Sequence, residues 1–144
     1  MEKIYKLDPV IIDTGVVYAL ADRSDIWHKR SVDFMNKFRG RVFVPSPVIS
    51  EACYLLNSYL GSSAEMAFLN SLINKELHIE HINEGDLLRI VDLLNKYSDQ
   101  NIGFVDASVV AIAERLNIKK VLTTDRRHFL IIQPTHCERF TIFP

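Results

Sequence analysis

The stretch PVIIDTG, residues 9–15, decides the fold class. Its apolar run, Pro9 to Ile12, is short and is followed at once by the polar Asp13 and the turn-forming Gly15. A short continuous apolar run bounded by turn residues is typical of a strand buried on both faces, as in a parallel sheet. We therefore predict a buried strand that runs into a turn at Asp13.

Further short apolar runs alternate with helical patterns along the chain. Strands are predicted at 41–44, 77–82, 119–125 and 139–143, and helices at 25–40, 46–61, 63–73, 83–97 and 103–117, with a polar loop at 98–101. Strands that alternate with helices predict an α/β domain in which helices cover both faces of a central, mostly parallel sheet. No repeat or linker interrupts the chain, so residues 1–144 are expected to form a single domain.

Local signals mark several helix ends. Ser46 and Pro47 are suited to the N-cap and the first helical position, and Gly61 to the stop of that helix. Asn83 and Asp86 have the spacing of a capping box.

The composition is that of an ordinary globular protein. Of the 144 residues, 48% are hydrophobic and 24% charged, and the formal net charge is -1. Such a charge argues against a protein that coats nucleic acid through a large positive field, although small basic clusters remain. The apolar runs are too short to span a bilayer, and the polar N-terminus does not resemble a signal peptide. We expect a cytoplasmic protein in which Cys53 and Cys137 are reduced.

Four acidic residues occupy positions that favour a shared site. Asp13 and Asp125 end predicted strands, and the carboxyl ends of strands are where α/β sheets gather reactive groups. Glu51 and Asp106 lie on largely apolar helix faces, where an unpaired carboxylate is costly. Two simpler interpretations stay open: Asp13 and Asp125 could be caps, and Glu51 and Asp106 could form salt bridges with Arg or Lys.

Converging carboxylates require a counter-charge. Asp99, in the loop before the last of these helices, is a candidate fifth acid. Four or five carboxylates would repel one another strongly at low dielectric, and Mg²⁺ or Mn²⁺ resolves that repulsion because these ions take oxygen ligands. One or two such ions would suit attack on a phosphodiester.

The ordered set of motifs resembles a PIN domain, specifically a VapC-type toxin endoribonuclease. The matching stretches are VIIDTG with Asp13, VPSPVISEACYLL with Glu51, YSDQNIGFVDASVVAIAERL with Asp99 and Asp106, and VLTTDRRHF with Asp125. The likeness covers nearly the whole chain, and it implies the three-layer α/β/α fold of that family, with about five strands.

The resemblance also implies an activity and its residues. It implies a metal-dependent RNA hydrolase in which Asp13, Glu51, Asp106 and Asp125 form the Mg²⁺ or Mn²⁺ pocket, with Asp99 near its rim. The hydroxyls of Thr14 and Thr124 match positions that order the pocket or its waters. The family's proteins are usually dimers, and its toxins are held inactive by a small antitoxin. The first motif reads D-T-G where many relatives carry D-T-S or D-T-N, so one polar contact near Asp13 is absent.

Other polar residues give weaker signals. Arg126 and Arg127 directly follow Asp125 and are candidates for contacts with RNA phosphates. The five histidines lack a metal-ligand spacing, and His128, although near the predicted pocket, is expected to pack or hydrogen-bond within its loop.

The same acidic residues bear on three alternatives to a nuclease. A PIN domain that only binds RNA or a partner protein would tolerate an incomplete acid set, whereas all four main acids are present. A receiver-type signalling domain needs adjacent acids after the first strand and an Asp after the third, and the chain has neither. A D-x-D phosphatase fails because position 15 is glycine.

Overall fold

A computed structural model describes residues 7–144, and its centre is a five-stranded parallel sheet. The strands are β1 (Val10–Ile12), β2 (Val42–Pro45), β3 (His78–Glu80), β4 (Lys120–Leu122) and β5 (Thr141–Phe143). Their order across the sheet is β3-β2-β1-β4-β5, and every neighbouring pair is parallel. The predicted α/β class is therefore confirmed.

Helices fill the connections between the strands. They are α1 (Thr14–Ala21), α2 (His28–Lys37), α3 (Ser46–Leu60), α4 (Ser62–Ile73), α5 (Glu84–Lys96), α6 (Phe104–Leu116) and α7 (Arg126–Ile131). Helix α1 contacts α2 and α3, and α3 contacts α4, whereas α5 packs against α6. Because crossovers between parallel strands are right-handed, the two groups cover opposite faces of the sheet. Within residues 7–144, no helix is long and apolar enough to cross a membrane.

Two helices were not predicted. The turn expected after Asp13 is wrong: Asp13 is the N-cap of α1, whose Val16, Val17 and Ala19 are buried. Helix α7 was missed as well, because its six residues carry too short a pattern for helical periodicity to emerge.

The predicted helix ends were mostly correct. Gly61 stops α3 at a φ of 95°, and the Asn83–Asp86 capping box at the start of α5 is present. The position of Ser46 is wrong by one residue, since Pro45 is the N-cap and Ser46 is already helical. Helix α2 ends at Lys37, before the predicted stop at Gly40.

The centre of the sheet contains the point where the strand order reverses. From β1 the chain first builds outward to β2 and β3, and then returns to add β4 on the other side of β1. Ligands in open parallel sheets bind beyond the carboxyl ends of the strands at such a switch point. The backbone N–H of Asp13, just after β1, donates to the carbonyl of Leu122 in β4 at 2.8 Å, which ties the two strand ends together.

Candidate active site

Asp13 is the innermost acid of the candidate site. Only 7% of it is exposed. Its Oδ1 accepts from the backbone N–H of Thr14 at 2.8 Å, and its Oδ2 accepts from the hydroxyl of Thr123 at 3.0 Å. Asp13 thus caps α1 and at the same time presents its carboxylate at the switch point, so the cap interpretation and the site interpretation are compatible.

The surroundings of Asp13 disfavour its negative charge. Burial, followed by the charge of Asp106, raises the pKa of Asp13 from 3.8 to about 6, and Glu51 adds a smaller effect in the same direction. The hydrogen bonds from Thr14 and Thr123 oppose that rise without cancelling it. The charges of Asp106 and Glu51 therefore both act on Asp13.

Asp106 is held by the first turn of α6. The seven consecutive residues from Ala107 to Ala113 are all buried and anchor the helix in the core, while Asp106 itself is partly buried. Burial is the main reason that the pKa of Asp106 is raised. The position of this residue on a packing face is confirmed.

His128 connects two of the acids. Its Nδ1 lies 3.0 Å from Oδ2 of Asp106 and 2.8 Å from Oδ2 of Asp125. Asp106 therefore pairs with a histidine, and within residues 7–144 it forms no salt bridge with the Arg or Lys that the alternative interpretation required. The hydrogen bonding expected of His128 does occur, but its acceptors belong to the acidic cluster.

Asp125 is both a cap and a member of the cluster. It is the N-cap of α7, where its Oδ1 accepts from the backbone N–H of His128 at 3.2 Å. Its own backbone N–H donates to the hydroxyl oxygen of Thr123 at 2.9 Å. Because the same hydroxyl donates to Asp13, Thr123 links the acids that follow β1 and β4.

Glu51 lies at the edge of the site and not in its interior. The inward-facing position predicted for it is wrong, because α3 buries Val48, Ala52 and Leu56 while Glu51 is exposed beside that stripe. It still raises the pKa of Asp13, so its charge reaches the pocket. Asp99 is exposed in the turn that precedes α6, and its rim role stays a prediction.

The two threonines predicted to support the pocket differ in their surroundings. The Thr14 hydroxyl is buried without a hydrogen-bond partner within residues 7–144, so it is free to bind a water or ligand beside Asp13. The Thr124 hydroxyl lies too close to Gly15 to leave room for a Cβ, so a side chain at position 15 would force Thr124 to move.

The two arginines after Asp125 are exposed. Arg126 donates from Nη2 to the backbone oxygen of Pro144 at 2.7 Å. Arg127 is exposed on the first turn of α7. Both lie beside the acidic cluster, and their contacts with phosphate stay a prediction.

The acidic cluster offers the oxygen atoms that a hard divalent cation prefers, but its side chains do not form a complete ligand set. Within residues 7–144, no three His, Cys, Asp or Glu side chains converge closely enough to hold an ion by themselves. Mg²⁺ characteristically takes one or two carboxylates and keeps several waters, so a complete protein cage is not required. The buried carboxylate of Asp13, the adjacent Asp106 and the unpartnered Thr14 hydroxyl supply the oxygen atoms and the uncompensated charge that such an ion needs.

Thr123 is the residue that the sequence reasoning overlooked. The hydroxyl of a threonine can accept from the backbone N–H two residues further on, as Thr123 does from Asp125, whereas Thr124 points toward Gly15. A threonine two residues before an acid at a strand end was the available signal. No comparable signal placed His128, since its bridge joins residues from two separate helix starts.

A parallel sheet with carboxylates at its switch point places the chain among the α/β proteins that carry an acidic site beyond the strand ends. The PIN domain family matches residues 10–132, and the chain belongs to that family. It is 30% identical over 135 residues to Ribonuclease VapC26 of Mycobacterium tuberculosis, covering 94% of this chain and all of that protein. The resemblance to VapC-type PIN proteins is thereby confirmed.

Solved structures share the fold at lower identity. VapC20 of M. tuberculosis, described as a toxin that cleaves the sarcin–ricin loop, superposes with a TM-score of 0.77 at 21% identity, over 83% of this chain and 92% of that one. VapBC2 from Rickettsia felis, bound to a promoter DNA fragment, gives a TM-score of 0.68 at 12% identity, over 94% and 99%. A toxin–antitoxin complex from Klebsiella pneumoniae gives 0.67 at 17% identity, over 85% and 92%.

Proposed function

We propose that this protein is a metal-dependent endoribonuclease that hydrolyses RNA phosphodiester bonds and serves as the toxin of a toxin–antitoxin pair. The observation that carries the proposal is the buried Asp13 at the switch point, whose charge is opposed by burial, by Asp106 and by Glu51. A carboxylate arranged in this way favours a cation beside it. The identity to a ribonuclease over nearly the full chain supports the same activity.

Each acid has a distinct part in this proposal. Asp13 and Asp106 would hold a Mg²⁺ or Mn²⁺ ion most directly, since burial raises the pKa of both and the charge of Asp106 also raises the pKa of Asp13. Glu51 would complete the pocket from its exposed edge, and Asp125 from the start of α7. A bound divalent ion would supply the activation of water and the stabilisation of the leaving oxygen that this hydrolysis needs.

The remaining groups act as supports. Thr123 orients Asp13 and the backbone of Asp125 through one hydroxyl. The Thr14 hydroxyl would hold a water next to Asp13, and Thr124 would keep α1 at its distance from the end of β4 by filling the space at Gly15. Arg126 and Arg127 would steer the phosphate chain toward the acids, and Asp99 would add charge at the rim.

The partners follow from the relatives. Because the chain shares its fold with toxin–antitoxin complexes, we include in the proposal a small antitoxin that holds the enzyme inactive. A homodimer and a cytoplasmic location belong to the same proposal. A fold neighbour of low identity does not identify the RNA that this chain cleaves, so the sarcin–ricin loop is only one of the substrates to be tested.

One observation favours a second candidate, a PIN domain that binds RNA or a protein partner without cleaving. The Nδ1 atom of His128 lies between Asp106 and Asp125, at hydrogen-bond distance from both. If His128 kept that position permanently, it would occupy one oxygen of each carboxylate and leave Asp106 and Asp125 fewer oxygens with which to bind a metal.

Cleavage assays separate the two candidates. The purified protein is incubated with single-stranded RNAs, structured RNAs and the sarcin–ricin loop, in Mg²⁺, in Mn²⁺ and in EDTA. We expect cleavage that requires the metal and that Asp106→Asn abolishes, with a loss at least as large as the roughly 10- to 100-fold effect of removing an outer-shell partner.

The matched control is Asp33→Asn, which removes the same charge from an exposed position on α2. It should cleave as the wild type does. Equal cleavage in EDTA, or by the Asp106→Asn variant, would refute the metal mechanism. RNA binding without cleavage of any substrate would favour the second candidate.

A further inference from the structure

A cavity adjoins the acidic site at Glu51. It has a volume of about 480 Å³ and lies between the first turns of α3 and α6. Its lining residues are Ser46, Pro47, Ser50, Glu51, Phe104 and Val105. Glu51 belongs to both the acidic site and this cavity, so whatever occupies the cavity lies next to the acids.

Phe104 stands out among the residues of this cavity. It is the first residue of α6 and 47% of it is exposed, although a long stretch of the same helix, from Ala107 to Ala113, is buried. Residues two apart on a helix do not face each other, so it is the cavity shared with Glu51, and not closeness to Asp106 along the chain, that places Phe104 beside the acidic site. An exposed phenylalanine next to catalytic acids is a surface on which a flat ring can stack.

We propose that Phe104 is a substrate-binding residue that stacks on a nucleobase of single-stranded RNA adjacent to the phosphate held at the acidic site, with the base seated in the cavity between α3 and α6. This inference rests on the proposed function. The protein's net charge of -1 provides no strong general attraction for RNA, so a contact with the base face is a physically suitable source of affinity.

The walls of the cavity are compatible with a base more than with a charged group. Pro47 and Val105 offer apolar surface, and the hydroxyls of Ser46 and Ser50 can donate to or accept from base edges. Glu51 repels a phosphate placed in the cavity itself, whereas a neutral base is not repelled. A strand whose phosphate lies at Asp13 and Asp106 would therefore place a neighbouring base, and not a second phosphate, against Phe104.

The test is base fluorescence together with cleavage kinetics. Short single-stranded RNAs carrying 2-aminopurine at successive positions are titrated with the full chain in Ca²⁺, a hard cation that takes oxygen ligands and stands in for the proposed catalytic ion, and stacking is read from the quenching of the fluorescence. We expect quenching at one position, lost in Phe104→Ala and Phe104→Leu and retained in Phe104→Trp. Phe104→Ala should also weaken RNA binding by about 5- to 150-fold, which is the range for one lost stacking contact.

Controls separate this contact from general effects. Phe104→Leu keeps apolar surface without the aromatic face, and Leu88→Ala removes another exposed apolar side chain, on α5. Leu88→Ala should leave quenching and cleavage unchanged. Equal quenching by the wild type and Phe104→Ala would overturn the inference. It would also be overturned if Phe104→Ala changed only the oligomeric mass of the protein, because the ring would then be a contact between two copies of the chain.

The two proposals fail in different ways. Quenching that depends on Phe104 in a protein that cleaves no RNA would support the stacking site and refute the nuclease. Metal-dependent cleavage with a fully active Phe104→Ala variant would support the nuclease and refute the stacking site.

Discussion

At the scale of single residues, the acidic cluster shows how one side chain can serve the fold and the site together. Asp13 and Asp125 each cap a helix, and each also faces the switch point of the sheet. A cap accepts backbone hydrogen bonds that fix the carboxylate in place. Capping thus supplies the rigidity that a binding site requires, and the two roles that the sequence left as alternatives coexist.

The raised pKa of Asp13 predicts how stability depends on pH in the absence of metal. The folded protein binds this proton more tightly than the unfolded chain does, so the contribution of Asp13 to stability is complete below its ordinary pKa of 3.8 and is lost as the pH rises through about 6. Asp13→Asn abolishes this loss. At pH 7 in EDTA the variant should exceed the wild type in unfolding free energy by on the order of 2–3 kcal/mol.

Urea unfolding over a pH series measures the difference. The gap between Asp13→Asn and the wild type should close near pH 4, and Mn²⁺ should reduce it at pH 7 by binding the ionised wild-type carboxylate. A gap that is constant from pH 4 to pH 7 would show that Asp13 is not electrostatically strained in the folded protein.

The residue types of the site were predictable from the sequence, but their contacts were not. Two strand ends and an apolar helix stripe located Asp13, Asp125 and Asp106, because each breaks a local pattern. Glu51 broke its pattern too, yet it lies just outside the buried stripe of α3. The bridge made by His128 depends on how α7 packs near the start of α6, and no local pattern carries that information.

At the scale of elements, the approach of α1 to the end of β4 depends on Gly15. A side chain at this position would overlap the Thr124 hydroxyl. In an unobstructed helix, Gly→Ala gains up to about 1 kcal/mol. Here Gly15→Ala should instead cost about 1–3 kcal/mol, the usual range for overpacking.

A double-mutant cycle tests this contact. Thr124→Ala removes the overlapping hydroxyl, so Gly15→Ala should be neutral or stabilising in that background. The measurement is the unfolding free energy of the four proteins of the cycle. Additive effects of the two substitutions would contradict a direct clash between positions 15 and 124.

The packing of α6 depends on an ion-pair network at its opposite end. Arg115 donates from Nε to Oδ1 of Asp86 at 3.0 Å and from Nη1 to Glu80 at 2.9 Å, which joins α6 to α5 and β3. The side chain of Asp86 is only 4% exposed, so removing its partner leaves a buried carboxylate. Arg115→Met should therefore lower the unfolding free energy by about 1–3 kcal/mol.

The control for this prediction is Lys120→Met. Lys120 pairs with Asp8 at 3.6 Å, but Asp8 is 79% exposed, and such surface pairs contribute between 0 and about 1 kcal/mol. Chemical denaturation of both variants gives the comparison. Equal losses in the two variants would mean that the Arg115 network contributes no more than an ordinary surface pair.

The elements that the sequence predicted correctly are those with strong periodicity or clear caps. Helix α5 has a complete capping box, and α3 ends at a glycine with positive φ. Helices α1 and α7 were missed because both are short and start at an acid that was assigned to the end of a strand. An aspartate directly after a strand is compatible both with the end of that strand and with the N-cap of a following helix. Only the folded structure shows that Asp13 and Asp125 are both.

At the scale of the whole molecule, the strand order brings the site together. Asp13 and Thr123 are far apart in the chain, but β1 and β4 are neighbours at the centre of the sheet, and the helix that carries Asp106 leads directly into β4. The sequence predicted that strand ends would meet, since all carboxyl ends of a parallel sheet share one edge. It did not predict which strands are adjacent, because that choice depends on how the helix pairs pack on each face.

The central claim is that this pocket binds a divalent cation through Asp13 and Asp106, and Mn²⁺ binding measured by isothermal titration calorimetry tests it most directly. At pH 7.5 the wild type should bind Mn²⁺, Asp13→Asn and Asp106→Asn should each bind at least about tenfold more weakly, and Asp33→Asn should match the wild type. Equal Mn²⁺ affinity in all four proteins, or no binding by the wild type, would contradict the claim.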